Sequence, residues 1–225
     1  FHDEELVLCS PGASQGGTPT QLAARLWVPA SCPPAGGCPG VVVVHGFGVT
    51  KETTFADMRD LALRGLYVLS YDVRGQGQSG GQADFMGPDT IADEARVLEW
   101  FHDTVQPTKT GVYGISQGGT HALMAAVYNC GPARAASFDS TIPCDEGGER
   151  WVDAIVPVQA PARMETIVDD GTCSIFLLQA AAESRAQPDL TDSATRCLFD
   201  GTPPDAVVEG AVPDRGLDRD NDVRD

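Results

Sequence analysis

The sequence predicts an α/β fold: a mostly parallel sheet flanked by helices, incomplete at its C-terminal side. Two observations carry that reading. Gly40 to His45, Leu66 to Asp72 and Thr110 to Ile115 are apolar, largely β-branched runs without a polar face, the pattern of strands buried on both sides. Each is followed by a stretch of helical periodicity, so residues 40 to 129 alternate as βαβαβα, with right-handed crossovers and a ligand site at the strand C-terminal ends.

Taken in order, Glu5 to Cys9 and Gln21 to Val28 read as two early strands that could pair as a hairpin. In the second, Leu22, Ala24, Leu26 and Val28 alternate on one face before Pro29 ends it. The helix after Gly40 to His45 spans about Thr53 to Arg64, with Phe55, Met58, Leu61 and Ala62 facing inward and Gly65 as its stop. Asp89 to Val105 repeats the pattern through Ile91, Ala95, Leu98, Phe101 and Val105, and Gln117 to Asn129 forms the third helix. Further on, Ala133 to Phe138 and Trp151 to Val158 are strand candidates, and Cys173 to Arg185 is a candidate helix covering the site. Residues 1 to 200 are read as one domain, with its core at 40 to 129. Residues 201 to 225 carry seven acids and almost no large apolar side chain, so a mobile acidic tail is expected. The spacing of Asp218, Asp220 and Asp222 is faintly that of a calcium loop, but the Gly and terminal Glu of an EF-hand are absent.

The charge balance excludes whole classes of partner. Lys and Arg number 15 against 32 Asp and Glu, a net charge of -17, which repels a phosphate backbone. Nucleic acid is therefore not an expected partner. No run of about 18 apolar residues exists to span a bilayer, so no membrane association is expected either. The seven cysteines, Cys9, Cys32, Cys38, Cys130, Cys144, Cys173 and Cys197, show no CxxC pair and no zinc spacing, so neither a metal nor any other cofactor is expected. Disulfides are favoured over buried thiols. Cys32 and Cys38 flank a short Pro/Gly loop, and Cys130 with Cys144 and Cys173 with Cys197 are further loop closures. An oxidising, secreted or periplasmic location follows, and a first residue of Phe1 reads as a processed start.

Three motifs carry chemistry. Gly114-Ile115-Ser116-Gln117-Gly118 is a G-x-S-x-G pattern standing where a buried strand gives way to a helix, the setting in which a nucleophilic serine is held on a sharp turn with its hydroxyl outward. The glycines on either side remove Cβ atoms that would clash where strand and helix close together. His45-Gly46-Phe47-Gly48 follows the first buried strand, and the backbone N–H groups of Phe47 and Gln117 are the expected oxyanion donors. His45 itself is read as a loop-fixing residue. In the third block Gly75-x-Gly77-x-x-Gly80 is not a dinucleotide fingerprint, because no helix opens within it; Asp72 and Arg74 are expected to pin that loop.

HGFGVTKE from His45, LALRGLYVLSYDVRGQGQSGG from Leu61 and GVYGISQGG from Gly111 together resemble the α/β-hydrolase superfamily, and within it the X-Pro dipeptidyl-peptidase-like and cocaine-esterase-like serine hydrolases. WVDAIVP from Trp151 resembles that family's next strand. The resemblance implies a Ser116 nucleophile, oxyanion donors at Phe47 and Gln117, and a triad in the order Ser, Asp or Glu, His. The substrate so implied is a small-molecule or peptide ester or amide, cleaved through an acyl-enzyme.

One part of that pattern is missing. Of the four histidines, His2, His45, His102 and His121, only His121 follows Ser116, and it sits about 140° round the same helix. Asp139 is the best acid candidate. Two explanations compete: a longer or cleaved hydrolase whose remaining segment supplies the acid and the histidine and completes the fold, or a non-catalytic hydrolase-like binding protein. The first is favoured, because a half-finished sheet exposes a strand edge. Either way this chain alone is expected to be nearly inactive.

Overall fold

The computed structural model describes residues 1–12, 19–32, 37–83, 87–128 and 151–160. Six strands form one sheet in the order β1-β2-β4-β3-β5-β6. β1 (His2–Ser10) and β2 (Thr20–Val28) are an antiparallel hairpin, and β2 runs antiparallel to β4 (Tyr67–Tyr71). β3 (Gly40–Val44), β5 (Thr110–Ile115) and β6 (Ala154–Val158) continue parallel to β4.

The buried runs fold as expected because both faces of β3 are covered. Val41 and Val43 pack with Met58 and Ala62 of α1 (Phe55–Leu63), while Val42 and Val44 join the cluster that holds Val97, Leu98 and Ala122 of α2 (Pro88–Trp100) and α3 (Gln117–Tyr128). Alternation along the strand thus sends successive valines to opposite apolar layers, and each contributes about 1.5–3 kcal/mol by burial. Gly65, at φ 88, closes α1, with its N–H donating to Ala62 O at 3.1 Å and Leu66 N–H to Leu61 O at 3.2 Å.

Several boundaries differ from the sequence reading. β1 extends three residues further toward the N-terminus than Glu5, because its whole length pairs with β2 from His2↔Val28 to Ser10↔Thr20. Phe55 does not face the core. It opens α1 after a 3₁₀ turn (Lys51–Thr54), stays 41% exposed and stacks edge-on against Trp27 at 4.7 Å. The second helix is α-helical only to Trp100; Phe101–Val105 widens into a π turn that ends at Gln106, φ 53. Phe101 fills the space over Gly40, where a Cβ would lie 2.6 Å from its ring. Of the expected strand from Trp151, only Ala154–Val158 pairs with β5, while Trp151 and Val152 are buried in the core. The strand over 133–138, the helix over 173–185, Asp139 and the acidic tail lie outside the described residues.

The strand order sets the position of the site. From β3 the chain steps to β4 on one side, then crosses back to β5 on the other, so the direction of winding reverses at β3. Register aligns Val44 with both Tyr71 and Gly114, so the loops after β3, β4 and β5 leave the sheet at one level. Such a reversal opens a crevice at the strand C-terminal ends.

Candidate active site

Ser116 stands alone between β5 and α3 in the left-handed region, at φ 54, with its side chain exposed. A non-glycine residue held there costs about 1–3 kcal/mol and persists only when its surroundings enforce it. The enforcement is visible. Ser116 N–H donates to Val158 O of β6 at 2.9 Å, and Ser116 O accepts Thr120 N–H at 3.2 Å. A Cβ on Gly114 would lie 1.8 Å from Gly118 O, one on Gly118 2.0 Å from Val44 O, and one on Gly119 2.8 Å from Val158 O. Those glycines let the start of α3 sit directly on β3, β5 and β6, which drives the turn at Ser116 into its strained shape.

The loop after β3 lies against this turn. A Cβ placed on Gly46 would be 3.5 Å from Ser116 Cβ, ordinary contact. Phe47 and Gln117 are both buried, at 9% and 3% exposure, on the two sides of this contact. His45 is committed to structure through both ring nitrogens: Nε2 accepts Val73 N–H at 3.0 Å, and Nδ1 donates to Gly46 O at 2.6 Å. Burial holds its pKa below the ordinary histidine value, against the pull of Asp72.

The Asp72–Gly81 loop is pinned as the sequence implied. Asp72 accepts Lys51 N–H at 2.7 Å and Gln78 N–H at 2.8 Å. Gly77, at φ 55, wraps so closely that a Cβ would meet the Asp72 carboxylate at 2.3 Å. Arg74 forks onto Asp93 with two bonds of 2.7 Å, and the Ser10 hydroxyl donates to the same carboxylate. Burial nevertheless pushes Asp93 up to about 6, with Arg74 and Ser10 opposing.

Two arrangements escaped the sequence reading. Gln76 reaches between the loops that follow β3 and β5: its Oε1 accepts Gly48 N–H at 2.8 Å and its Nε2 donates to Gln117 Oε1 at 3.2 Å. No local pattern marks a glutamine between two loop glycines. The second is Glu94, whose Oε2 lies 3.2 Å from His121 Nδ1 with both side chains buried, so burial raises the Glu94 pKa. Here a signal existed, since Glu94 interrupts the apolar stripe of Ile91, Ala95 and Leu98. His121 is thus a helix-packing residue, as its position implied. His102 sits beside Asp103 on the π turn and His2 begins β1. Among the described residues, no hydrogen bond joins any of the four histidines to Ser116. No cluster of three or more His, Cys, Asp or Glu there is arranged to hold a metal ion.

A strand-turn-helix serine at the edge of a sheet ordered in this way defines an α/β-hydrolase fold. Est1E from Butyrivibrio proteoclasticus is similar in structure, with a TM-score of 0.50 at 20% identity over 74% of this chain and 56% of that one. A thermostable carboxyl esterase from Bacillus coagulans gives 0.47 at 20% identity, over 58% and 42%, and the α/β hydrolase GrgF from a Penicillium species gives 0.44 at 18%, over 56% and 42%. The chain spans about half the length of such neighbours or less. No curated protein matches the sequence. The family model of the X-Pro dipeptidyl-peptidases, the S15 family, matches residues 16–153, more than half of the chain. The protein belongs to that family.

Among the described residues no helix is long and apolar enough to cross a membrane. Cys32 and Cys38 form a disulfide, and Cys9 is disulfide-bonded as well, which fits an oxidising compartment.

Proposed function

We propose that this protein is a serine hydrolase that cleaves an ester or amide bond through an acyl-enzyme on Ser116. The observation that carries the reading is the exposed, positive-φ Ser116, in contact with the loop that begins at His45. Attack by Ser116 Oγ on the carbonyl carbon passes its proton to a base and places negative charge on the carbonyl oxygen. The backbone N–H groups of Phe47 and Gln117, on the two loops meeting at Ser116, are the donors assigned to that oxyanion; one such donor is worth about 10²–10³ in turnover. Collapse returns the proton to the departing alcohol or amine, and water then releases the acid by the same steps. The S15 membership makes a peptide amide as natural a substrate as an ester.

None of the four histidines occupies the base position, so that role is assigned to a segment that completes the fold, oriented by an acid for which Asp139 remains the in-chain candidate. The same observation favours a second reading, a hydrolase-like protein that binds without turnover. A fluorophosphonate probe separates them. Labelling that disappears in Ser116→Ala, with hydrolysis of p-nitrophenyl esters, supports the enzyme. Absence of labelling and of hydrolysis in the full protein leaves the binding reading.

A further inference from the structure

We propose that Gln76 is a positioning residue that sets the distance between the two halves of the oxyanion site; this rests on the serine-hydrolase reading above. Gln76 is 4% exposed, and its single amide group spans two loops that no strand pairing joins. Its oxygen takes Gly48 N–H at 2.8 Å, one residue beyond Phe47, and its nitrogen reaches the side chain of Gln117 at 3.2 Å. The residue next to Phe47 and the side chain of Gln117 are therefore bridged by one rigid planar group, which ties together the two loops that carry the assigned oxyanion donors.

The clamp itself is held from behind. Gln76 N–H donates to Val73 O at 2.9 Å, and Ser79 N–H donates to Gln76 O at 3.0 Å. The loop is stapled to β2 through Asp72 N–H to Ala23 O at 2.8 Å and Gly80 N–H to Gln21 O at 2.9 Å. Gly75 and Gly77, at φ 70 and 55, let the backbone turn on either side of Gln76. A Cβ on Gly75 would strike Ala83 N at 2.4 Å, so the loop has little room to shift. Oxyanion stabilisation demands donors fixed before charge develops, and a misplacement of about 1 Å can cost about 10²-fold. Gln76 touches no reacting atom; it acts through Gly48 and Gln117.

The test compares, in the full protein, Gln76→Ala, Gln76→Glu, Gln117→Ala and the Gln76→Ala/Gln117→Ala double variant. Readouts are kcat and KM for a p-nitrophenyl ester, the rate of fluorophosphonate labelling, and amide hydrogen exchange at Gly48. Gln76→Ala is expected to lower kcat and labelling by about tenfold or more with KM within about twofold. Gln76→Glu keeps the acceptor for Gly48, and Gln117 can turn its amide to donate to the second carboxylate oxygen, so this variant should retain more of kcat than Gln76→Ala, and a loss as large as that of Gln76→Ala overturns the bridge. The double variant should be no worse than Gln76→Ala, because both changes break one bridge. A Gln76→Ala rate within about twofold of wild type, or a double deficit equal to the product of the single ones, overturns the proposal. Gly48 exchange should quicken in Gln76→Ala, and unchanged exchange overturns the clamp whether or not the protein turns over. Wild-type Ser116 that neither labels nor hydrolyses instead overturns the serine-hydrolase reading, and with it the catalytic purpose of the clamp.

Discussion

Gly46 and Gly118 flank the same serine with opposite tolerance for a side chain. At Gly118 a methyl group would meet Val44 O at 2.0 Å, backbone that has nowhere to go, whereas at Gly46 it would make ordinary 3.5 Å contacts. Gly118→Ala should therefore cost about 3 kcal/mol in urea unfolding, and Gly46→Ala should leave the midpoint nearly unchanged. His45 sets a second expectation at this scale. Its pKa is depressed by burial, so on acidification the unfolded chain binds a proton near pH 6.5 that the folded protein refuses. The stabilisation is complete above about 6.5 and drains away as pH falls toward the folded value. Asp93 has the opposite sign: raised to about 6, it stabilises at low pH and loses that contribution as pH rises through about 6. Subtracting a His45→Gln profile from the wild type isolates the histidine. The wild type should lose more stability than the variant between pH 7.5 and 5.5, and parallel profiles would refute the assignment. That His45 is structural was legible, since it ends a buried strand ahead of a glycine. That Gln76 bridges two loops was not, because its partners are 28 and 41 residues away.

At the scale of elements, buried polar pairs tie helices to loops. Arg74 on the loop after β4 holds Asp93 of α2, and Glu94 of the same helix meets His121 of α3. Breaking one partner of a buried pair strands the other charge, so Arg74→Met should cost about 3–5 kcal/mol, while Arg74→Met/Asp93→Leu should recover about half of that. Thermal unfolding of the three proteins checks both numbers. The strands were readable because β3, β4 and β5 are apolar on both faces, a pattern that only two covering layers satisfy. The helix ends were less so. Phe55 has the right spacing for the core, yet it stays 41% exposed and only meets the buried Trp27 edge-on, because the chain first spends Lys51–Thr54 in a 3₁₀ turn that delivers Lys51 to Asp72. Spacing counts residues along a helix but does not say where the helix begins.

For the molecule as a whole, the net charge of -17 means that the compact state repels itself. Raising NaCl from about 10 to 200 mM should raise the melting temperature by screening that repulsion, and a melting temperature insensitive to salt would show the acids to be locally paired. The sequence alone determined the alternation of strand and helix, the serine at the strand-to-helix bend and the glycines that permit it, since each depends on neighbours within a few residues. Packing of the folded chain is what makes β3 the point where the sheet reverses, rests Gly118 on Val44, and stretches one buried amide between the two loops beside Ser116. Those contacts join residues far apart in the chain. They exist because strand register brings three loops to one level, a distance that no local pattern encodes.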